Sequence, residues 1–570
     1  MLKKTLHKFS ALALAAVMLA ATGCSGGNGG GSSEKEASIS EAASQSEDVS
    51  EEETGEPAAT GEGTEFEWFL TASALPQAWD MSQPIFKEIT EKTGMIPKVT
   101  IPAADADTKL NLMISAGTLP DMITLTNADL LYELIDADLV WDFGELMETY
   151  VPDSHIFTDF PEDIKKALEY RDGGWYSYPS HMVSDGATDI WGYPEPLKDY
   201  YSVIKYDDQF SIFISSEYAD QLDIDVKAVN TEDKLFEVMG KFHEAGLKNS
   251  SDADVFTVVM PVETLDDVSM RPLQYQFGTL PYDKEGNYRS VYYADEYRHA
   301  VEFLNKCFRA GYLDESVLTM DNTTMGTVCN SGRAAIFIGG IAGLNMGHDS
   351  EWRTPGPVLS STGAKSTFPL SAKVSTGWLQ TLVSKSSKEP EKLAEFIDYM
   401  SSEEGMLLHM YGIEGDDYTW DDEEMLHRTE SGNDKVEDSV SGMYGFYAFH
   451  HTSFSRSVEY VDLSETSDLR TALGSSDKSF KYDSSLFTIP SGYIEADSEY
   501  AFIKNEVITY VNSNLAKIMM APDDETFNSM YDDFVGSLDD MGLRKYDEFV
   551  NISVQEKCKE DGVDLKQEQP

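Results

Sequence analysis

The residue types that could catalyse a reaction in this chain are carboxylates and a pair of histidines, and their spacing defines no reaction. His450 and His451 are adjacent, so on a strand their side chains would point to opposite faces, and no third metal ligand is evident. The pair Asp416-Asp417 is more typical of a solvated face. The chain has no HExxH, no G-x-S-x-G, no Walker A loop and no GxGxxG after a strand. The motifs therefore favour binding over catalysis.

One catalytic alternative stays open. A glycoside hydrolase needs two carboxylates about 5–10 Å apart, and a chain with 101 acidic residues offers many such pairs. A surface glycan-degrading enzyme is therefore kept as the alternative to a binding protein.

Composition and charge exclude other classes. Of the 570 residues, 41% are hydrophobic and 11% aromatic, which is enough for a large core. The 43 Lys and Arg against 101 Asp and Glu give a net charge of −58. Such an anion repels nucleic acid, whose recognition requires basic stripes. We therefore expect no nucleic-acid partner.

The N-terminal residues predict export. Three lysines within residues 1–8 precede an apolar run at 9–21, and small residues at 21–23 come directly before Cys24. The run is too short to span a membrane and is typical of a signal peptide. It resembles the lipobox of bacterial lipoproteins, although Ala21 stands where Leu is commonest. The resemblance implies a signal peptide at 1–23 and lipidation of Cys24; the alternative is an ordinary signal in which Cys24 has no role.

The residues after Cys24 predict a tether. Residues 24–65 are rich in Gly, Ser and Glu and contain no aromatic residue. Such a segment buries too little apolar surface to fold, so we expect it to be disordered and extended by its acidic charge.

Cysteine usage does not indicate a disulfide framework. After Cys24 only Cys307, Cys329 and Cys558 remain, without a CxxC spacing. A bridge between Cys307 and Cys329 is conceivable, but the sequence favours buried free thiols.

The periodicity of residues 66–541 predicts an α/β protein. Strand-like runs alternate with helical segments that end at glycine. In open α/β sheets, ligands bind where parallel strands end. The predicted strands are 66–70, 98–101, 122–125, 210–214, 256–260 and 334–338, and the predicted helices are 84–93, 109–116, 232–245, 296–310, 390–400, 403–411, 501–519 and 525–541.

The order of landmarks resembles a known family. Helix caps and turns occur in a recurrent order, each weak alone but together specific. They are Glu91-Lys92-Thr93-Gly94, Leu110–Asp121, Gly174–Pro179, Ser331–Ile336, Gly377-Trp378, Ser402–Gly405 and Tyr411–Gly415. The chain resembles the family 1 extracellular solute-binding proteins of carbohydrate ABC importers, in particular the large lipoprotein members of Gram-positive bacteria.

The resemblance implies an α/β, two-lobed periplasmic-binding-protein-like fold of type II. Mostly parallel sheets with helices on both faces, and a hinge between lobes near 175–179 and within 341–377, are expected. The head is expected over 66–570. Lobe 1 is expected at 66–178, 342–376 and part of the C-terminus, and lobe 2 at 179–341 and 377–500, with C-terminal helices in 501–550 bracing both.

The calcium loop of some relatives is not matched. Its place reads Leu247–Asp254, which holds two Asp and one Asn without EF-hand spacing. Calcium is therefore possible but unsupported, and we expect no cofactor and no metal site.

The candidate binding residues are chosen by the chemistry of sugar recognition. A pyranose has an apolar C–H face, which aromatic rings cover, and a rim of hydroxyls, which carboxylates and amides bind. Each candidate has a structural alternative, either packing of an aromatic side chain or capping of a turn. The predicted binding residues are Trp79, Asp121, Asn127, Trp175, Tyr178, Trp378, Glu414, Trp420, Tyr444 and Tyr447.

The function implied by the resemblance is capture of an oligosaccharide and its delivery to an ABC permease pair with a cytoplasmic ATPase. The protein is expected to be a monomer on the outer face of the cell membrane, held there only by its lipid anchor. The alternative within binding is a receptor for peptides or polyalcohol phosphates, which would favour a cationic or apolar cleft.

Overall fold

The computed structural model describes residues 63–72, 79–102, 105–204, 210–261, 267–320, 322–340, 344, 352–369, 374–438, 447–461, 479–490, 492–495 and 498–570. The predicted signal peptide, Cys24, all of the predicted tether but its last three residues, and Tyr444 lie outside the described residues. Within those residues, no helix combines the length and apolar character that a membrane span requires.

Residues 63–204 alternate strands with helices. The first helix begins at Pro84, whose missing N–H is harmless there, and ends at Gly94 in the left-handed conformation, as its sequence predicts. The strands are β1 (Thr64–Leu70), β2 (Met95–Thr100), β3 (Met122–Leu125), β4 (Tyr178–Pro179) and β5 (Val183–Ser184). The helices are α1 (Pro84–Thr93), α2 (Ala106–Ala116), α3 (Ala128–Asp136), α4 (Phe143–Tyr150), α5 (Ile156–Asp159), α6 (Glu162–Asp172), α7 (Asp185–Trp191) and α8 (Lys198–Ile204).

Residues 210–369 form a second group of elements. Its strands are β6 (Phe210–Ser215), β7 (Phe256–Val259), β8 (Ala334–Gly340), β9 (Trp352–Arg353) and β10 (Thr367–Pro369). Its helices are α9 (Ser216–Gln221), α10 (Glu232–Ala245), α11 (Asp267–Phe277), α12 (Asp295–Arg309) and α13 (Asn322–Asn330).

The remaining elements return to the first group and then end in long helices. The strands are β11 (Val374–Ser375), β12 (Gln380–Val383), β13 (Tyr418–Trp420), β14 (Leu426–Arg428) and β15 (Phe480–Tyr482). The helices are α14 (Pro390–Ser401), α15 (Glu403–Tyr411), α16 (Glu430–Asp438), α17 (Thr452–Val458), α18 (Glu499–Met519), α19 (Asp524–Asp540) and α20 (Leu543–Asp561).

The sheet of lobe 1 has the order β2-β1-β3-β12-β4. Strands β1, β2 and β3 are parallel, and β12 lies antiparallel between β3 and β4. Alternate residues of β1 face two different cores, because successive strand side chains point to opposite faces. Trp68 packs with Phe396 on one face, whereas Phe69 packs with Leu131 on the other. Helices therefore cover both faces of this sheet.

The sheet of lobe 2 has the order β7-β8-β6-β9 and is mixed rather than mostly parallel. Strand β8 pairs in parallel with β7, whereas β6 is antiparallel to both β8 and β9. Ile212 and Ile214 face one core and Phe213 faces the other, so this sheet is also covered on both sides.

Followed through the described residues, the chain changes lobe at three places, and the predicted division differs from the observed one. The changes lie between Ile204 and Phe210, between Pro369 and Val374, and between Val461 and Ser479. The crossing predicted at 175–179 is wrong, because β4 there pairs with β12 inside lobe 1. Residues 380–383 were predicted to lie in lobe 2 but pair with β3 in lobe 1. Residues 352–353 were predicted to lie in lobe 1 but pair with β6 in lobe 2.

The C-terminal helices pack mainly on lobe 2. Side chains such as Val507 and Phe534 enter its main core. Contacts to lobe 1 among the described residues include Lys504, which lies 4.0 Å from Asp129, and the Lys557 ammonium, which lies over Tyr170. The helix at 543–561 extends beyond the predicted end of this region.

The three cysteines after Cys24 are buried free thiols, as predicted. Burial raises the pKa of Cys329 to about 12, so its thiol is uncharged at neutral pH.

Candidate ligand-binding site

Three strands end and one strand begins at the same edge of the lobe 1 sheet. Leu70, Leu125 and Pro179 end β1, β3 and β4, and the register places Gln380, which begins the antiparallel β12, beside Leu125 and Pro179. The residues just beyond these ends therefore lie together. This is the edge where open α/β sheets bind ligands.

An aromatic cluster lies at this edge. We call Trp378, His181, Tyr447 and His450 the aromatic platform. Trp378 is 45% exposed, and its Nε1 donates a hydrogen bond to Nδ1 of His181 over 3.0 Å. The His181 ring lies 5.6 Å from that of Tyr447 and 4.3 Å from that of His450, centroid to centroid. The platform thus presents one exposed indole, supported by the buried ring of His450 and the half-buried rings of His181 and Tyr447.

The backbone below the indole is tightly constrained. Gly377 has φ +70, and a Cβ at this position would lie 1.6 Å from the carbonyl oxygen of Ser180. His181 also has a positive φ of 56, and its N–H donates to the carbonyl of His450. Only glycine allows the two segments to approach this closely. This close approach fixes the position of the backbone at Trp378, the next residue, and so the position of its side chain.

A buried ion pair fixes the segment that carries Trp378. The Arg171 guanidinium binds both carboxylate oxygens of Asp172 over 2.6 Å. It also donates to Thr376 Oγ1 and to Gln380 Oε1, on either side of Trp378. Burial raises the pKa of Asp172, and the Arg171 guanidinium opposes that shift. The arginine is thus committed to positioning residues 376–380.

The platform is electrically neutral near pH 7. Burial lowers the pKa of His181 to about 4 and that of His450 well below its usual value. Because Trp378 donates to Nδ1, the His181 proton is carried by Nε2. A neutral ring surface suits the apolar face of a sugar better than it suits a phosphate.

The corresponding edge of lobe 2 is described only in part. Phe210 begins β6 beside Gly340 at the end of β8. The Arg271 guanidinium lies over the Phe210 ring, 4.8 Å from its centroid. The residues that continue from these ends, at 205–209, 262–266 and 341–343, lie outside the described residues.

Three predicted aromatic residues pack in or against the core of lobe 1. Trp175 is 4% exposed and lies against Phe143 and Phe160, and Tyr178 is also buried. Trp79 stacks on Phe86 and donates from Nε1 to Thr90 Oγ1. In this structure all three side chains make packing contacts, which is the alternative that the sequence left open.

Two of the three predicted polar residues, Asp121 and Asn127, have turn and cap roles. Asp121 lies at the opposite edge of the sheet, where its Oδ2 accepts from the backbone N–H of Glu67. Asn127 lies at the binding edge but caps α3 through its Oδ1 and donates to Asp107. Asn127 therefore shares an edge with the platform, whereas Asp121 does not.

Glu414 and Trp420 belong to a different surface. Glu414 lines a cavity of about 520 Å³ together with three other glutamates from α1 and α15. Trp420 lies in the β13–β14 hairpin, with its ring 5.9 Å from that of Tyr418. Neither residue joins the platform.

Of the ten predicted residues, the structure brings together Trp378 and Tyr447, with His181 between them. Sequence reasoning missed His181, and it considered His450 as a metal ligand but not as part of a binding site. The position of His181 just after the strand at 178–179 is a usable signal, but its partner across the sheet lies 197 positions away. Among the described residues, no group of three or more His, Cys, Asp and Glu side chains is arranged to hold a metal ion.

The chain was compared with protein families, with characterised proteins and with solved structures. No protein-family model matches the chain. The chain is 22% identical over 371 residues to the polygalacturonan/rhamnogalacturonan-binding protein YtcQ of Bacillus subtilis, and the match spans 60% of this chain and 65% of YtcQ.

Two solved structures align over most of their length. The ABC-transporter substrate-binding protein FusA of Streptococcus pneumoniae, in complex with kestose, has a TM-score of 0.63 and 16% identity, covering 87% of this chain and 100% of FusA. An HMO-binding, ABC-transporter-associated solute-binding protein of Bifidobacterium longum infantis has a TM-score of 0.60 and 14% identity, covering 86% and 98%. The chain therefore has the fold of ABC-transporter solute-binding proteins. The α/β fold predicted from the resemblance is confirmed.

Proposed function

We propose that this chain is an extracellular solute-binding protein that captures an oligosaccharide on the aromatic platform and delivers it to an ABC permease pair. The observation that carries the proposal is the exposed indole of Trp378, pinned by His181 at the strand-end edge. An exposed Trp on a rigid support is costly to hydrate and suits the C–H face of a pyranose.

Closure of the two lobes supplies the second half of the site. Hinge closure around a ligand is a common device in two-lobed receptors. The edge of lobe 2 with Phe210 and Arg271 then meets the sugar held by Trp378. Closure also creates the surface that the permease recognises, and the cytoplasmic ATPase provides the energy for import.

A neutral oligosaccharide is the preferred ligand. The platform is uncharged, its nearby Arg171 is paired with Asp172, and the chain carries a net charge of −58. An acidic glycan, of the kind named for YtcQ, would depend on Arg271. A panel that contains both classes separates these ligands.

The test uses the full chain, calorimetry and thermal unfolding with neutral and uronate-containing oligosaccharides. A ligand of the native state raises the melting temperature by mass action. Trp378→Ala is expected to weaken binding about tenfold or more, and Trp420→Ala, a Trp outside the platform, serves as the matched control. Equal binding by both variants would place the ligand elsewhere.

The same mixtures are assayed for new reducing ends. Intact chains are expected, because the protein is proposed to bind and not to cleave. Reducing ends that scale with protein would instead identify a glycan-degrading enzyme, and a response to peptides or phosphorylated polyols alone would identify the other receptor class.

The location belongs to the proposal as well. A monomer anchored to the outer face of the membrane through lipidated Cys24 would bring the binding edge to the permease. Cys24→Ala is expected to release the protein into the medium, and mass spectrometry of the N-terminal peptide would detect the lipid.

A further inference from the structure

A second cavity lies in lobe 2, at the sheet edge opposite Phe210. It has a volume of about 520 Å³. Strand β6 ends here at Ser215, β8 begins at Ala334, and Trp352 of β9 pairs with Ser215. The segments 249–251 and 329–332 close the cavity above these strand ends. The cavity is therefore separate from the edge that carries Phe210 and Arg271.

The lining of this cavity is polar but almost uncharged. Five serines and two asparagines line it, together with one carboxylate, that of Glu217. None of its described lining residues is Lys, Arg or His. Hydroxyls and amides both donate and accept hydrogen bonds, whereas a phosphate or carboxylate ligand would find no cation. A single carboxylate is also too few for a hard metal ion.

One buried hydroxyl in the lining, that of Ser216, makes no hydrogen bond among the described residues. Ser216 is 6% exposed, and its Oγ has no hydrogen-bond partner among the described residues. A buried hydroxyl without a partner destabilises the native state. A ligand hydroxyl that enters the cavity would supply the missing bond.

The rim is already ordered. The Asn249 side chain donates from Nδ2 to the carbonyl of Ser331 and accepts at Oδ1 from the N–H groups of Ser251 and Ala253. The Tyr218 hydroxyl bonds the carbonyl of Gly332 below. A ligand would therefore meet a pre-organised rim and lose less entropy on binding.

We propose that this cavity binds a neutral saccharide of one or two units, independently of the aromatic platform. Its volume lies in the range of small-ligand sites. Its hydroxyl and amide groups match the rim of a sugar, and the largely buried indole of Trp352 provides an apolar wall. A saccharide held here would occupy lobe 2 whether or not the lobes are closed.

The test is saturation-transfer NMR on the full chain with glucose, galactose, N-acetylglucosamine and maltose at millimolar concentration. Ser216→Ala removes the unpartnered hydroxyl without changing the fold and is expected to weaken binding about threefold to tenfold. Ser251→Trp, at the exposed rim, is expected to fill the cavity and abolish the signal from this site. Ser529→Trp, on the exposed face of α19, is the matched control.

Trp378→Ala separates this cavity from the platform. A saccharide signal that persists in Trp378→Ala and Ser529→Trp but disappears in Ser251→Trp supports the proposal. A signal that is lost in Trp378→Ala and kept in Ser251→Trp overturns it. So does the absence of any saccharide signal in the wild type, or displacement of the bound sugar by a neutral tripeptide.

Discussion

The indole Nε1 of Trp378 and the Nδ1 of His181 are joined by a hydrogen bond of 3.0 Å, although the two residues lie 197 positions apart. His181 follows strand β4 and Trp378 precedes strand β12, and these strands are neighbours in the sheet. The bond therefore orients the one exposed aromatic ring of the platform. His181 is a positioning residue, and the indole is the group that would contact the ligand.

Removing His181 should weaken ligand binding without removing the indole. His181→Ala and His181→Gly are both expected to raise the oligosaccharide Kd about threefold to tenfold, the worth of one hydrogen bond. Glycine adopts the positive φ of 56 without strain, so the Gly variant should be the more stable of the two. Calorimetry and thermal unfolding measure both effects. His427→Ala, in the β13–β14 hairpin, is the control, and unchanged affinity in both His181 variants would remove His181 from the site.

Gly377 should tolerate no side chain. In Gly377→Ala, the new Cβ would lie 1.6 Å from the Ser180 carbonyl oxygen, so the backbone must move and Trp378 with it. Loss of oligosaccharide binding and a lowered melting temperature are expected. Gly356→Ala is the matched control, since Gly356 has φ +75 with open space around it and loses only about 1 kcal/mol to backbone strain. Equal behaviour of the two variants would contradict this account of the close approach.

A buried ion pair should stabilise lobe 2. His299 Nε2 lies 2.8 Å from Glu232 Oε2, which also accepts from the N–H of Ser361. The bond to Glu232 raises the pKa of His299 against the effect of burial. Burial raises the pKa of Glu232, but the bonds from His299 and Ser361 outweigh it, so the net shift is downward. Breaking such a pair costs about 3–5 kcal/mol.

Glu232→Gln should therefore lower the unfolding midpoint of lobe 2 in urea. The raised pKa of His299 means that its contribution is present below the unfolded pKa, about 6.5, and is lost as the pH rises through the raised native value. The loss caused by Glu232→Gln should thus be larger at pH 6 than at pH 9. Glu237→Gln, in an exposed pair with Lys241, should change nothing measurable.

Acid should destabilise lobe 1 through three histidines whose pKa values are lowered by burial. Burial lowers the pKa of His181, His409 and His451 to about 4 each. Below about pH 6.5 the unfolded chain binds protons that the native state does not, so stability falls as the pH falls towards 4. Each histidine contributes about 1.4 kcal/mol per pH unit in this window.

His409→Phe should remove one such contribution. The slope of unfolding free energy against pH between 6 and 4 is expected to decrease relative to the wild type, measured by urea unfolding at each pH. His243→Phe, on the exposed face of α10, should leave the slope unchanged. An unchanged slope in His409→Phe would show that its ring is already protonated in the native state.

Local signals explain why much of lobe 1 was predictable from the sequence. The helix from Pro84 to Thr93 and the helix that ends at Gly117 both carry their stop signals within a few residues. The strands at 122–125 in lobe 1 and 334–338 in lobe 2 were also predictable from local sequence. Strands that are buried on both faces are continuously hydrophobic. The resemblance then supplied the two-lobed fold, which no periodicity defines.

The division into lobes and most of the site were not predictable in this way. Whether residues 380–383 pair with β3 or with β6 is decided by tertiary packing, since both sheets accept a buried apolar strand. Trp175 and Trp378 have similar glycine-flanked sequence contexts, yet one is 4% and the other 45% exposed. His181 acquires its role only through a partner across the sheet, which is a relation that a single sequence does not display.

The insertion of β12 between β3 and β4 has a consequence for biosynthesis. Within the described part of the chain, strand β4 pairs only with β12, whose residues 380–383 are made some 200 residues later. Because the N-terminal part of a chain leaves the ribosome first, the edge of β3 stays open while the entire sheet of lobe 2 is being synthesised. An open apolar edge is a template for aggregation. A cell that makes this protein has to shield that edge, or delay folding altogether, until residue 383 has been added.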